Sequence, residues 1–248
     1  MANKVAAFTF LLLFLCTGVT AEEKKLVFAV GHDHQKMMTS DYPMYNAKWE
    51  FIVESLALLG YSVESVELPW ARAKHLTQTA KADGLFLAAN LPGREKWAVL
   101  SDKLGYGVFG SFYHIENPGK NEFVASIRLG MHDRISSDLS TEDLLLVATA
   151  HQGFKLLFNK KVDIFIMSES YGRYLLNTEL SHYNNKISFD SSKIDSRSTH
   201  IAFSKEHAKS LAALKVVNSA IEMGIKQGLY RAAMLRNNVP KRMQLKIK

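Results

Sequence analysis

Cysteine is nearly absent from this 248-residue chain: the single one, Cys16, lies in the apolar leading segment, so no disulfide can form within the chain and a packed core must hold the fold. Past that segment, no run reaches the ~20 apolar residues that a membrane-spanning helix needs. Internal repeats, low-complexity tracts and proline-rich linkers are missing too, which removes any reason to expect an appended domain. No GxSxG nucleophile elbow occurs, so the serines, histidines and aspartates carry no hydrolase signature. Nor does one sign of charge dominate. Lys and Arg number 31 against 24 Asp and Glu, and the basic residues are scattered apart from Lys241-Arg242 to Lys246-Lys248. Without a stripe of basic and aromatic residues, nucleic acid is not an expected partner.

The leading segment, Met1 to Ala21, has Lys4 at its basic end, the apolar core FTFLLLFL, and the small residues Gly18-Val19-Thr20-Ala21 before Glu22. It reads as a cleaved secretory signal (residues 1–21), leaving 248 − 21 = 227 residues exported to the periplasm and lacking cysteine. A lipoprotein reading would lipidate Cys16, but Leu15 before it is bulky where such sites take a small residue. A chain of this length forms one or two domains with a core large enough to need no staple.

Strands and helices alternate after Ala21, which predicts the α/β class. LVFAVG, ending at Gly31, is an unbroken apolar run of the kind a buried parallel strand gives. Asn46 is placed to cap a helix with Trp49, Val53 and Leu56 on one face and Gly60 past its end, and Tyr61 to Leu68 reads as a second strand. Gly105-Tyr106-Gly107-Val108-Phe109-Gly110 spells GxGxxG, but it runs into the β-rich Ser111-Phe112-Tyr113-His114 rather than into a helix. The dinucleotide reading is therefore set aside, no cofactor is expected, and the run is taken as an extended strand. Glu122 to Leu129 is expected to pair back on it after a turn at Asn117 to Lys120. A helix is predicted from Ser140-Thr141-Glu142-Asp143 with Leu146, Ala150, Phe154 and Leu157 inward, then a buried strand Val162 to Met167. Thr199 to Phe203 reads as a late strand, and Ser204 as the cap of a long helix with Leu214, Val217, Ile221 and Ile225 inward.

The centre of the pattern is Leu68 to Leu104. Pro69 opens a helix carrying Trp70 and Arg72, the strand GLFLAA runs from Gly84 to Ala89, Pro92-Gly93 turns, and Arg94 follows. An arginine past the carboxyl end of a buried strand lies where open α/β sheets bind ligands, and its planar fork suits a carboxylate. Trp70, Arg72 and Ala73 in PWARA, Asp83-Gly84, Arg94 and Ser101-Asp102 together resemble the first lobe of the family-3 extracellular solute-binding proteins, the amino-acid receptors of bacterial ABC importers.

That resemblance implies a two-lobed type II periplasmic-binding-protein-like fold with a hinged cleft. Residues 22–110 and 204–248 would form the first lobe and 111–203 the second. It implies a monomeric receptor that closes on a small polar, carboxylate-bearing ligand and delivers it to an inner-membrane ABC permease, or reports it to a sensor protein. Arg94 would clamp the carboxylate. Trp70, Arg72, Ala89 and the rings of Tyr42 and Tyr45 would border the ligand, Tyr45 standing at the aromatic position of the family's Tyr-Pro-Pro-aromatic motif and Met44 replacing its second proline. Two departures accompany this. Ser168, with Glu169 beside it, stands where the family has an aspartate for the ligand ammonium. The family's Leu-x-Gly-Lys strand of the second lobe is missing, with Arg128-Leu129-Gly130 and His132-Asp133-Arg134 in its region.

Two other chemistries compete. His32 and His34, two apart, share a face of an extended segment and could reach one ion together with His132, but no thiolate is available and no metal is expected. An exported dehydratase on the same fold would need a protonated carboxyl beside the clamp, for which Glu169 is the candidate; its place at a helix start favours an ordinary structural acid, and no enzymatic activity is expected.

Overall fold

The computed structural model describes residues 24–40, 42–118, 120, 122–127 and 144–247. The leading segment with Cys16, the Arg128 to Arg134 region and the Ser140 to Asp143 capping box lie outside them.

Unbroken apolar runs become the parallel strands that the periodicity predicts. β1 (Lys24–Val30) lies between β2 (Tyr61–Glu67) and β3 (Gly84–Ala89), parallel to both. Beyond β3 the sheet turns antiparallel. β9 (Ile187–Ser204) pairs with β3, with the short β4 (Ala98–Leu100) and with β5 (Gly105–His114); β5 then pairs with β8 (Ile164–Ser168). A second parallel group, β8, β6 (Val124–Ser126) and β7 (Leu144–Leu146), completes the order β2-β1-β3-β9-β5-β8-β6-β7.

Helices α1 (His34–Thr39), α2 (Pro43–Ala57), α3 (Trp70–Gln78), α6 (Ala208–Lys226) and α7 (Leu229–Arg236) belong to the first parallel group, and α4 (Ala150–Phe158) and α5 (Glu169–Asn177) to the second. These are two α/β lobes, each closed by chain that returns from the other side. The two long antiparallel strands, β5 and β9, pass between them. Thr199 is the node of the crossing, because it faces both Ala89 of β3 and Gly105 of β5.

The lobes repeat one device that the sequence alone does not display. In each, a helix ends with a residue in the left-handed conformation, Ala80 (φ 54°) or Lys160 (φ 54°), and an aspartate follows three residues later. The chain then closes with paired bonds, Lys81 N–H to Leu76 O and Ala80 N–H to Thr77 O in one lobe, Lys161 N–H to Leu156 O and Lys160 N–H to Leu157 O in the other. Asp83 then accepts from Val27 N–H at 2.8 Å, and Asp163 from the N–H groups of Glu122 and Phe123 at 3.1 and 3.0 Å. Each buried aspartate thus ties a neighbouring strand, β1 at its middle and β6 at its start, to the strand that it precedes.

Four local expectations change. Leu144–Leu146 is an edge strand, Leu146 is exposed, and the helix begins only at Ala150, where Thr149 accepts from Gln152 N–H. β6 pairs with β7 and β8 and not with β5. Asn46 lies inside α2, which Pro43 opens, and donates to Ser40 O rather than capping. His207, not Ser204, precedes α6; Ser204 ends β9 and its hydroxyl bonds Gln78 O. Of the elements expected at the crossover, Gly105 to Gly110 is extended strand, as the β-rich continuation required.

Candidate functional site

The chain leaves β3 through Asn90, whose N–H bonds Ser198 O of β9, then turns at Pro92-Gly93, where Gly93 takes a positive φ of 80°. Arg94 N–H closes the turn on Leu91 O, and Arg94 O accepts from the N–H groups of Trp97 and Ala98. Both backbone groups of Arg94 are therefore fixed, and its side chain leaves a rigid base. That side chain is 8% exposed, and its guanidinium carbon lies 5.7 Å from the centroid of the Trp97 ring. Its Nε is buried and has no hydrogen-bond partner, and no ion pair forms on it among the described residues. Burial lowers its pKa from the ordinary guanidinium value. A buried cation without an anion is costly unless something else completes it.

β3 is distorted on the way to this turn. Leu87 takes φ 58°, and the pairing with β9 slips between Leu85 and Ala88. A leucine in the left-handed region costs on the order of 1–2 kcal/mol, and such strain gathers at binding sites. The bulge re-aims the last residues of the strand. Ala89 and Leu91 enter an apolar cluster with Phe109 of β5 and Ile164 and Ile166 of β8, so the cluster that Leu91, the turn partner of Arg94, joins is shared between lobes.

Trp70, first residue of α3, packs half-buried on the alanine-rich cluster of Ala29, Ala73, Ala88 and Ala98, where Trp97 also packs. The structure therefore joins Trp70, Trp97 and Arg94 around one small-residue layer. Sequence reasoning missed Trp97; its position three residues after Arg94, on the same turn, was the available signal. Arg72 points outward, exposed.

The two tyrosines go elsewhere. Tyr42 and Tyr45 are buried and stacked on each other, with centroids 5.7 Å apart, and Tyr42 stacks on Tyr174 of the second lobe at 5.3 Å. The Tyr45 hydroxyl pairs with His34 Nδ1 at 2.7 Å, and burial raises the pKa of both phenols. Beside them, the Tyr171 hydroxyl donates to buried Asp33, and Lys36 reaches Glu179 at 2.8 Å. Asp33, Lys36 and Tyr42 come from the first lobe and Tyr171, Tyr174 and Glu179 from the second, so these contacts hold the two lobes together along one edge of the cleft. His34 is buried between Tyr45 and Trp49 while His32 is exposed beside Asp33, and no cluster of metal-ligating residues forms among the described residues.

Ser168 ends β8, faces Phe109 across the ladder and makes no cap bond to α5. Glu169 is buried. Its oxygens accept from Arg242 at 2.8 and 2.7 Å, and Oε1 also from Arg173 at 3.0 Å. The carboxylate is committed to anchoring the C-terminal segment across the base of the second lobe.

A third feature was also absent from the sequence reading. Lys48, wholly buried in α2, donates to Tyr106 O of β5 at 3.1 Å and to Thr199 Oγ1 of β9 at 2.9 Å. It stands on the crossover node itself. Burial without a carboxylate partner lowers its pKa to about 7. A lysine between Met44 and Ile52 in an otherwise apolar stripe was the visible signal.

Two lobes joined by a pair of antiparallel strands define a clamshell fold. Solved structures of that kind are similar to it. One is a histidine kinase sensor domain with similarity to periplasmic binding proteins, 18% identical, with 87% of this chain and 97% of that one covered at a TM-score of 0.67. Another is the arginine-, lysine-, histidine-binding protein ArtJ of Geobacillus stearothermophilus, 13% identical, covering 90% and 97% at 0.67. A third is the periplasmic VFT2 domain of BvgS from Bordetella pertussis, 10% identical, covering 86% and 93% at 0.62. At these identities the likeness is one of fold, and the two-lobed architecture expected from PWARA and Arg94 is the one observed. No protein-family model matches the sequence, and no curated protein matches it as a relative.

Proposed function

We propose that the protein is an exported, periplasmic receptor that closes its lobes on a small carboxylate, with Arg94 as the clamp and Trp70, Trp97 and Ala89 beside it. The observation that supports this most is the buried Arg94 guanidinium whose Nε lacks any partner. Of the neighbours, ArtJ is by name a binding protein and another is by name a histidine kinase sensor domain. The carboxylate is therefore delivered to an inner-membrane ABC permease or reported to a membrane sensor protein, in either case by a monomer whose closed face is read by the partner. Glu169 is occupied by two arginines, which favours a receptor over a dehydratase on the same fold. We place the hinge where β5 and β9 cross, Gly105–Gly110 opposite 194–199, refining a division into 22–110, 111–203 and 204–248, because Phe203 pairs with Val99 inside the first lobe.

A thermal-shift screen of small carboxylates tests the reading, since a ligand that binds only the folded state stabilises it by RT ln(1 + [L]/Kd) and so raises the transition temperature. No stabilisation by any carboxylate would sink it.

Closure itself has a separate readout. A ligand moves an open ensemble toward the closed one only by its differential affinity for the two. Tyr171→Phe removes the bond to Asp33, a hydrogen bond to a charged group contributing roughly 1.5–3 kcal/mol. In small-angle scattering the free Tyr171→Phe variant is expected to show a larger radius of gyration than the free parent, and saturating ligand should bring the two together. Equal radii in all four samples would count against a moving hinge.

A further inference from the structure

We propose that the ligand of the Arg94 site is a carboxylate with an apolar body and no ammonium group, an inference that rests on Arg94 being the clamp. The buried charges of the described residues carry it. Five carboxylates are buried, and each is already engaged. Asp33 accepts from the Tyr171 hydroxyl and faces His32 Nε2 at 3.1 Å. Asp83 holds Val27 N–H and lies 3.0 Å from Lys209 Nζ. Asp163 holds two backbone N–H groups, Glu169 two guanidinium groups, and Asp195 is paired with Arg197. Among the described residues, an incoming ammonium would meet no buried carboxylate that it did not have to take from another partner.

The cations are not balanced in the same way. Lys48 is satisfied by a carbonyl and a hydroxyl, which leaves Arg94 as the buried charge among the described residues with nothing opposite it. One uncompensated cation asks for one anion. The residues beside it add the second half of the inference. Ala89 and Leu91 of the first lobe, Leu91 bonded through its carbonyl to Arg94 N–H, form an apolar wall with Phe109 of the crossing strand β5 and Ile166 of the second lobe, and Leu87 and Ala89 stand at strand positions that offer no hydroxyl. Such a wall gains from apolar ligand surface and penalises an ammonium that must shed its water there without a partner. Ser168, at the end of β8 where the second lobe faces the crossing, supplies a neutral hydroxyl in place of a charge.

The test is a set of matched pairs titrated by calorimetry into the purified protein: 3-phenylpropionate against L-phenylalanine, 4-methylpentanoate against L-leucine, and glutarate against L-glutamate. At least one amine-free member is expected to bind at least about tenfold more tightly than its amino acid, and to lose that binding in Arg94→Ala. If in every pair that binds the amino acid is as tight or tighter, and still needs Arg94, the ligand carries its ammonium and the inference is overturned while the receptor reading stands. If the preferred member binds equally well to Arg94→Ala, the site is elsewhere and both fall. If no compound of the six raises the thermal transition at about 10 mM, both fall as well.

Discussion

Arg94→Ala is expected to lower affinity for the carboxylate by about 30-fold to several thousand-fold, because truncating one side of a desolvated charge pair costs roughly 2–5 kcal/mol. The structure strengthens the expectation in two ways. The guanidinium leaves a backbone fixed on both sides by the turn to Leu91 and the bonds from Trp97 and Ala98, so little ordering entropy is left for the ligand to oppose. And its Nε is unsatisfied without ligand. For the same reason the variant should not lose stability in the free state. Removing an uncompensated buried charge offsets the weaker packing over the Trp97 ring, and the ligand-free thermal transition should stay level or rise. Arg94→Lys separates charge from geometry: it keeps the cation but loses the planar fork, and should recover only part of the affinity. Titration of the three proteins with one bound carboxylate decides the matter. Affinity of Arg94→Ala within about threefold of the parent, under 1 kcal/mol, would remove Arg94 from the site.

How much of this was legible depends on whether the signal was local. The stretch from Leu68 to Arg94 could be read because each of its parts is a short-range statement: proline at a first turn, an unbroken apolar run, a proline-glycine turn. β9 could not be read to its full length, because the segment 190–197 is Asp-Ser-Ser-Lys-Ile-Asp-Ser-Arg, and what holds its second half, 194–197, extended is pairing with β5, more than eighty residues away in sequence. Leu144–Leu146 shows the reverse error. Leucines are strong helix formers, and spacing from Leu146 to Ala150 and Phe154 fits a helical face, yet the parallel ladder to β6 claims them. Tertiary pairing overrode propensity in both places.

The site divides along the same line. Arg94 was marked by its place after a strand. Glu169 was open between ligand contact, general acid and helix-start acid; Arg242, from the other end of the chain, bonds both of its oxygens. Tyr42 and Tyr45 read as ring donors to a ligand, and the structure spends them on the seam between lobes, where Tyr174 and His34 meet them. In each case the deciding partner lies far away in sequence. The repeated aspartate of the two lobes was hidden for another reason. Ala80-Lys81-Ala82-Asp83 and Lys160-Lys161-Val162-Asp163 share only a lysine and the acid, too short a match to mark a repeat, and backbone geometry makes them alike.

Lys48→Met should make the protein more stable near neutral pH and flatten its pH dependence above it. In the parent, Lys48 is wholly buried at the crossover, and its pKa falls from 10.5 to about 7. Below pH 7 the lysine is charged in both folded and unfolded chains, and the whole desolvation cost weighs on the folded state. Between about 7 and 10.5 the folded protein has given up the proton that the unfolded chain keeps, so stability rises with pH across that window. The full span corresponds to on the order of 5 kcal/mol, and a step from pH 7 to 9 to about 2 kcal/mol. Methionine has a similar length and no charge, so it removes this slope while losing two hydrogen bonds, to Tyr106 O and Thr199 Oγ1, at about 1 kcal/mol each. Near pH 7 the relief should exceed the loss; near pH 10 the order should reverse. Urea unfolding of both proteins at pH 7 and pH 9 reads the result directly, and a parent-to-variant difference that is the same at the two pH values would show that Lys48 does not titrate there. The hinge gives the second readout. Thr199 faces Ala89 on one side and Gly105 on the other, and the space where a Cβ on Gly105 would stand is already filled by Lys48 Cε at 2.9 Å and Met243 O at 2.6 Å. The lysine is thus packed into the pivot as well as bonded to it. Its replacement by the flexible methionine should loosen the crossing, and if the lobes close on a carboxylate as proposed, its affinity should shift in Lys48→Met.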